Sequence, residues 1–362
     1  MASGRQLVFI VRFDADNSVG TGHYSRCFSL GQRLEGLSHE VIYIAKHIHP
    51  NIERVLLQKG KTLVKVPISI EWRQEVEFTL KRLPRKPDAA ILDLSTPYAF
   101  SDLTGVGAFL DDMRMVCKTV LFDGMGSNAL APSIASDIDI VVVPYLGATE
   151  LGYYRKFGTC TLVGPKYFVF ADNYQQCAIP ESNIRKIANR LLVTLGGADP
   201  FGVTKIVIEA ILSIRDIMLD IRVIVGPNFE ASLVNEIKEC SVSELHKFSI
   251  VMSPDSLAEH MAWADAAVSS SGLTKYELAM MGTPSLQISF SEQYAYINQY
   301  FVCYGSARHL GVFDKVTVVL LAQEIRTLLA DYSTRRMMHL AGKALFDSNA
   351  TDLLLAELWR QL

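Results

Sequence analysis

The stretch that decides the fold is QLVFIVRFDADNSVGTGHYSRCFSLGQRL, residues Gln6–Leu34. It begins with a short apolar run of the kind that forms a buried parallel strand, and from Tyr24 onward its apolar residues recur at helical spacing. His23 therefore lies at a strand-to-helix turn. Gly20 and Gly22 allow the backbone to approach a ligand closely, and the free amides of a helix N-terminus favour anions by roughly 0.3 to 1 kcal/mol. The turn is thus a candidate ligand site.

The first half of the chain repeats this alternation of short apolar runs and longer amphipathic segments. Such alternation predicts a parallel sheet with helices on both faces. We assign residues 1–167 to an N-terminal Rossmann-like domain, and residues 168–186, which contain a proline and break the alternation, to a linker. The strand candidates of this half are LVFIV, EVIYIA, AAILDL, KTVLFD and DIVVVP.

The alternation restarts after the linker. Residues 187–345 are assigned to a C-terminal Rossmann-like domain, and residues 346–362 to a C-terminal helix. The family resemblance described below implies that this domain binds the nucleotide. The prediction is an α/β protein with two Rossmann-like domains that face each other across a cleft. In such sheets ligands bind outside the carboxyl ends of the strands, so the residues that follow each strand are the ones to inspect.

Composition limits the partners of such a protein. The chain has 362 residues, of which 49% are hydrophobic and 20% charged, and this length suits two globular domains of ordinary size. Its net charge is -3 and it has no basic block, so neither nucleic acid nor an anionic membrane is an expected partner.

Cysteine usage and apolar runs indicate where the protein works. The six cysteines are scattered without metal-ligand spacing, so we expect reduced thiols and no metal site. No signal peptide is expected at the start, and no apolar run reaches the roughly 18 to 20 residues that a membrane span needs. We therefore expect a soluble cytoplasmic protein without an integral membrane segment.

A second turn of interest is LLVTLGGADPFGVTK, Leu191–Lys205. Gly196 and Gly197 follow a predicted strand, and Asp199 precedes a helix, so the turn has a geometry that presents backbone amides to phosphate. The alternative is a tight turn in which Asp199 caps the helix. The spacing matches neither GxGxxG nor a P-loop.

A third turn follows the strand in ADAAVSSSGLTKYELAMMGTPSLQISFSEQ, Ala264–Gln293. Ser271 and Gly272 precede a helix that carries Glu277. Hydroxyls and helix amides suit a diphosphate, and a carboxylate on the first turns suits the hydroxyls of a ribose. The alternative is a serine-capped helix with a solvent-facing glutamate.

Together these three turns resemble the GT-B glycosyltransferase superfamily, and within it the UDP-sugar hydrolases of the pseudaminic acid pathway and their spore-coat relatives. The opening looks most like that family: Arg12-x-Asp14, then Gly20-x-Gly22-His23-x-x-Arg26. The VGPKYFVF segment is similar to the family's linker, and SEQ at the end of the third stretch falls where the family has a polar pair. The resemblance covers nearly the whole chain.

The resemblance implies a role for each matching residue. His23 would be the general base that activates water against the anomeric carbon of a UDP-linked sugar, with Asp14 orienting groups nearby. No metal or other cofactor is implied, because helix amides would stabilise the departing diphosphate. The residues implied in binding the substrate or its nucleotide are Arg12, Gly20, Gly22, Arg26, Gly196, Gly197, Asp199, Ser271, Gly272, Glu277, Glu292 and Gln293.

The sequence also departs from the family. It has Asp93-Leu94-Ser95 where the family tends to show Asp-x-Tyr, and Asp123-Gly124 where the family tends to show Asp-Asp. These changes fall where the sugar would bind, so the sugar stays open, as do the stereochemical outcome and the oligomeric state.

Three functions are compatible with these residues. The first is a hydrolase that releases a free amino or deoxy sugar plus UDP, in nonulosonic acid or surface polysaccharide biosynthesis. The second is a glycosyltransferase in which His23 deprotonates an acceptor hydroxyl. The third is a nucleotide-sugar-binding protein without turnover. Because one fold hosts many functions, fold does not choose among them.

Overall fold

The computed structural model describes residues 5–125, 129–134, 138–152, 160–177, 179–346 and 349–362. The chain divides into two compact units. The first unit comprises Met1–Ala171 and Asp347–Leu362, and the second comprises Asp172–Phe346.

The first unit is built on a seven-stranded sheet. Its strands are β1 (Val8–Phe13), β2 (Glu40–Ala45), β3 (Thr62–Lys65), β4 (Ala89–Asp93), β5 (Lys118–Phe122), β6 (Ile140–Val143) and β7 (Cys160–Val163). All adjacent strands run parallel, in the order β3-β2-β1-β4-β5-β6-β7. The central strands are buried along their length, because helices cover a parallel sheet and its strands therefore read as continuous apolar runs.

Among the described residues of the first unit, six helices come before β7 in the chain. They are α1 (Gly22–Gly36), α2 (Pro50–Gln58), α3 (Trp72–Leu80), α4 (Pro97–Phe100), α5 (Leu103–Val116) and α6 (Ala131–Ile134). Local sequence explains several of their starts, since the Thr96 and Asp102 side chains accept backbone N–H groups at the first turns of α4 and α5.

The second unit is built on a six-stranded parallel sheet in the order β10-β9-β8-β11-β12-β13. Its strands are β8 (Arg190–Thr194), β9 (Asp220–Val225), β10 (Lys247–Met252), β11 (Ala266–Ser269), β12 (Ser285–Ser289) and β13 (Ala307–Val312). Its helices are α7 (Asp172–Cys177), α8 (Val203–Ser213), α9 (Ala231–Cys240), α10 (Ala258–Trp263), α11 (Thr274–Met281), α12 (Glu292–Cys303), α13 (Val318–Ala330) and α14 (Tyr332–Ala344).

Both sheets share one strand order, in which the first strand of the unit lies between the second and the fourth. This arrangement confirms the predicted α/β architecture of two Rossmann-like domains. It also creates a crevice at the carboxyl ends of two neighbouring strands where the chain reverses its direction of winding. In the first unit those strands are β1 and β4, and in the second they are β8 and β11.

The last helix, α15 (Ala350–Gln361), belongs to the first unit. Trp359 packs edge-on against Phe9 with ring centroids 5.7 Å apart, and Arg33 of α1 pairs with Asp352. The part of the expected linker from residue 172 onward lies in the second unit. There Arg335 of α14 donates to the carbonyls of Arg185 and Lys186. Residue 178 of the expected linker lies outside the described ranges.

No helix in the described part of the chain is both long and apolar enough to cross a membrane.

A cluster of buried charges ties α3 to the end of β1. Arg12 donates from Nε to Oε1 of Glu75 at 2.5 Å and from Nη1 to Oδ1 of Asp14 at 2.8 Å. The guanidinium also lies over the Trp72 ring. All three charged side chains are at most 1% exposed, so each depends on its partners for compensation of the lost hydration.

We expect Glu75→Ala to lower the free energy of unfolding by about 3 to 5 kcal/mol, because it leaves the Arg12 charge buried with one partner fewer. Urea denaturation followed by circular dichroism measures the loss. Glu77→Ala is the matched control on the same helix, since Glu77 forms an exposed pair with Lys81 and its removal should leave the midpoint unchanged. Equal midpoints for both variants would contradict the assigned role of the buried cluster.

Candidate functional site

In the first unit, His23 meets a carboxylate at the crevice between β1 and β4. Its Nδ1 lies 2.6 Å from Oδ1 of Asp93, the last residue of β4. Arg26, one turn later in α1, binds both oxygens of Asp93 at 2.9 Å. His23 and Arg26 reach the same carboxylate because residues three apart lie on one face of a helix.

The environment keeps Asp93 ionised. Burial acts to raise its pKa, but Arg26 and His23 together hold the pKa of Asp93 below its usual value. Arg26 in turn donates to the Tyr145 hydroxyl at 3.0 Å and lies over the Phe122 ring. The His23 side chain is 17% exposed, and no described residue hydrogen-bonds its Nε2. The imidazole is therefore held at one nitrogen and open at the other.

Arg12 and Asp14, which the resemblance implies in the site, lie in the protein interior. Both are buried in the cluster with Glu75. Asp14 also accepts the backbone N–H groups of Lys46 and His47 at 3.1 and 2.9 Å, so it joins the loops that follow β1 and β2. Arg26 binds the Asp93 carboxylate. These three residues shape the site from within.

The loop before α1 is held in place by Asp16. Its carboxylate accepts the backbone N–H groups of Ser18 and Val19, and the Tyr98 hydroxyl donates to it at 2.5 Å. The Tyr98 ring stacks on His47 with centroids 3.6 Å apart. Gly20 has the left-handed backbone that this loop needs, with φ of +79°, and Gly22 is the first residue of α1.

In the second unit, the turn after β8 contains the glycine pair. Gly196 adopts φ of +89°. Gly226, beyond β9, lies against it so closely that an added Cβ would be 2.4 Å from the carbonyl oxygen of Gly197. Asp199 accepts the backbone N–H groups of Val203 and Thr204 at 2.9 and 2.8 Å. Both of its oxygens are thus used in capping α8, so the capping alternative is the one observed.

Behind the turn that follows β11, a chain of hydrogen bonds joins three elements. Lys275 of α11 donates to Oδ1 of Asn298 at 2.6 Å, and the Asn298 amide donates to the Ser289 hydroxyl at 2.9 Å. The same amide lies 3.5 Å from the Ser271 hydroxyl, which donates to the carbonyl of Ile288 at 3.2 Å. Gly272 is exposed beside this network.

Lys275 is a buried cation without a carboxylate partner in the described part of the chain. Burial lowers the pKa of its ammonium to about 7. Two further polar side chains lie side by side on adjacent strands, Ser269 and Gln287, and their buried polar atoms lack hydrogen-bond partners among the described residues. Several buried polar groups near the strand ends of this unit therefore lack a hydrogen-bond partner or a counter-charge among the described residues.

Glu277 lies on the same helix and is half-buried. Burial raises the pKa of its carboxyl to about 7, against a smaller opposing effect of a hydrogen bond with Tyr174. Helix α11 has Leu273 at its N-cap without a side-chain cap. The serine-capped alternative with a solvent-facing glutamate is therefore wrong.

Glu292 and Gln293 open α12 on the protein surface. The Glu292 carboxylate pairs with Lys315, and its side chain is 74% exposed. The structure does not bring this residue into the hydrogen-bonded network of Ser271. Among the described residues no group of three histidine, cysteine, aspartate or glutamate side chains is placed to hold a metal ion.

Several residues of the candidate site were not predicted from the sequence. Asp93 was noted only as a departure from a family pattern, although its place at the end of a strand next to β1 was a usable signal. Lys275 and Asn298 carried no signal, since a buried lysine looks like any surface lysine in the sequence. The others that sequence reasoning did not name for the site are Tyr145, Tyr174 and Gly226.

Comparison with solved structures shows that the chain has a GT-B fold. MurG from Acinetobacter baumannii matches with a TM-score of 0.70 and 13% identity, over 99% of this chain and 100% of that chain. MnaA from S. aureus, solved with UDP, matches with a TM-score of 0.68 and 14% identity, over 98% and 96%. At these identities the likeness shows the fold alone.

Two relatives are detected by sequence, while no protein-family model matches the chain. The uncharacterized protein MJ1062 of Methanocaldococcus jannaschii is 28% identical over 280 residues, which are 75% of this chain and 53% of that protein. The chain thus spans about half the length of this relative. The spore coat polysaccharide biosynthesis protein SpsG of Bacillus subtilis is 25% identical over 302 residues, 80% of this chain and 82% of that protein.

We expect the stability gained by Lys275→Met to depend on pH. Between the folded-state pKa of about 7 and the unfolded-state value, the unfolded chain binds more protons at this lysine, so the penalty of burying the charge fades as pH rises. Relative to the unaltered protein, the variant should therefore be favoured more at about pH 6 than at about pH 9.5. Urea midpoints at both pH values measure the difference.

Lys238→Met is the control for this comparison, because Lys238 is exposed on α9. Its effect should be the same at both pH values. A pH-independent effect of Lys275→Met would show that Lys275 titrates as an ordinary lysine.

Proposed function

We propose that this protein hydrolyses a UDP-linked amino or deoxy sugar to the free sugar plus UDP, in nonulosonic acid or surface polysaccharide biosynthesis. The observation that carries the proposal is the His23 imidazole, bound at Nδ1 by the buried carboxylate of Asp93 and open at Nε2. A histidine held in this way has its tautomer fixed by the partner and its second nitrogen available as a base.

In the proposed reaction, Nε2 of His23 removes a proton from water as the water oxygen attacks the anomeric carbon. The bond from that carbon to the phosphate oxygen breaks, and UDP leaves with the electron pair. Asp93 accepts the hydrogen bond from Nδ1 and stabilises the imidazolium that forms, while Arg26 keeps the carboxylate in place. General bases so positioned contribute about a hundred- to ten-thousandfold.

The second unit is proposed to bind the nucleotide. The exposed Gly272 turn and the first amides of α11 suit the diphosphate, and the buried charge of Lys275 behind them favours an anion. Glu277 would accept hydrogen bonds from the ribose hydroxyls. Gly196 and Gly197 are proposed to lie near the phosphates, and Gly20 and Gly22 near the sugar.

The comparisons support this proposal at the level of fold and pathway. The MnaA structure was solved with UDP, and another structure of the same fold, HepE from Anabaena, was solved with UDP-glucose and matches with a TM-score of 0.61. SpsG is named for spore coat polysaccharide biosynthesis. A cytoplasmic site of action, where nucleotide sugars are made, is part of the proposal.

We expect release of UDP in the absence of any acceptor. In oxygen-labelled water the freed sugar should carry the label at its anomeric carbon, read before ring opening exchanges it, and UDP should carry none. His23→Ala should lower turnover by at least about a hundredfold while UDP still binds, because the base acts only in the transition state. Mass spectrometry of both products, over a panel of UDP-, CMP- and GDP-sugars, makes the measurement.

Three results would overturn this reaction. Label in UDP would mean attack at phosphorus. Product formation only after an acceptor is added would assign the protein as a glycosyltransferase, and binding without any turnover would leave a nucleotide-sugar-binding protein.

We expect Glu277→Ala to weaken UDP binding by about 1 to 3 kcal/mol at about pH 8.5, where a carboxyl with a pKa of about 7 is ionised, because it removes charge-assisted bonds to hydroxyl groups. Isothermal titration calorimetry measures the affinity. Glu292→Ala is the matched control, since Glu292 is exposed and paired with Lys315, and its UDP affinity should be unchanged. Unaltered UDP affinity in folded Glu277→Ala would remove Glu277 from the site.

A further inference from the structure

A cavity of about 400 Å³ lies in the second unit at the amino ends of its strands. Arg190 begins β8, and Asp265 and Pro284 directly precede β11 and β12, so this cavity is at the opposite edge of the sheet from Ser271. Its polar lining also includes Arg335 and His339 of α14, Arg185 and Asn183. The proposed function uses none of these residues.

The cavity lining carries an excess of positive charge. Three guanidinium groups, those of Arg185, Arg190 and Arg335, face one carboxylate, that of Asp265. Oδ2 of Asp265 is already engaged by the backbone N–H groups of Asn189 and Arg190, both at 2.9 Å. Asp265 is the one acid among the described lining residues, so the lining has two more positive than negative side chains. Asp331, outside the lining, also attracts the Arg335 charge.

Two of these guanidinium groups also have donor nitrogens without a hydrogen-bond acceptor among the described residues. Arg335 is fully buried, and it donates from Nη1 and Nη2 to the carbonyls of Arg185 and Lys186 at 2.9 and 3.1 Å. Its Nε is buried without a partner among the described residues. Nη1 of Arg185 lies 3.3 Å from Asp265 but makes no hydrogen bond within the same part of the chain. The cavity lining thus contains two buried donor nitrogens, Nε of Arg335 and Nη1 of Arg185, without an acceptor among the described residues.

Arg190 is held in a different way. Its guanidinium lies 5.7 Å from the centre of the Trp263 ring, and no described carboxylate pairs with it. Trp263 itself lines the cavity. A guanidinium beside an aromatic ring keeps its N–H groups free to bind an oxyanion.

We propose that this cavity binds a small phosphate-bearing anion. The excess of arginines in the lining favours an anion, and forked guanidinium donors match phosphate oxygens in pairs. The volume admits a phosphate with a small organic substituent as well as inorganic phosphate. A bound anion would link the segment that contains Arg185 to α14 and to the sheet edge, and so stabilise the second unit.

The test uses the fluorescence of Trp263 in the full chain, titrated with inorganic phosphate and, separately, with ribose 5-phosphate. We expect a saturable change that is absent in Trp263→Phe. Arg190→Gln and Arg335→Gln should each weaken binding at least about tenfold, since each removes a donor to the phosphate. Arg222→Gln is the control: Arg222 lies 4.0 Å from the same ring but does not line the cavity, and its affinity should be unchanged.

The two titrations distinguish the kinds of ligand. Tighter binding of ribose 5-phosphate would indicate an organic phosphate ester, whereas equal binding would indicate that only the phosphate group is recognised. If Arg335→Gln fails to fold, Arg190→Gln decides. Unchanged phosphate affinity in folded Arg190→Gln overturns the proposal. So does full competition by UDP, which would place the anion at the Ser271 turn.

Discussion

The carboxylate of Asp93 is the group on which the first unit depends. A carboxylate stays charged in a protein interior only when cations and hydrogen-bond donors replace its water. Here Arg26 and His23 of α1 supply both, so the charge at the end of β4 fixes the helix that follows β1. The same bonds that make the burial tolerable also set the orientation of the imidazole. Stability and the geometry of the site are therefore one requirement in this unit.

The fold was readable because its signals are local. Buried parallel strands are continuous apolar runs, and the alternation with helices leaves few architectures to consider. The capping of α8 by Asp199 was foreseen as an alternative for the same reason, since the residues that it contacts are four and five positions away. The contact of His23 with Asp93 spans 70 positions and follows from the strand order, so the sequence could place the histidine but not its partner.

In the second unit, prediction from the sequence was limited by burial. Helix α11 is covered on nearly every face, so its sequence has no polar side to show which residues point inward. Glu277 was singled out because a carboxylate suits ribose, whereas Lys275 was passed over, although it is the more deeply buried of the two. Desolvation moves the pKa values of both groups to about 7, from opposite directions. Burial, which no single sequence displays, decides the chemistry of this helix.

The close approach of Gly226 to the glycine pair has a consequence for ligand affinity. The backbone at Gly226 contacts the backbone of the glycine pair with no side chain between them, so neither segment can shift toward the other. A turn confined in this way has already lost its conformational freedom when the protein folds. A ligand that reaches its amides therefore meets donors that are fixed in advance, and little entropy is lost in ordering them. Because folding already makes this turn rigid, a ligand that binds there gains affinity.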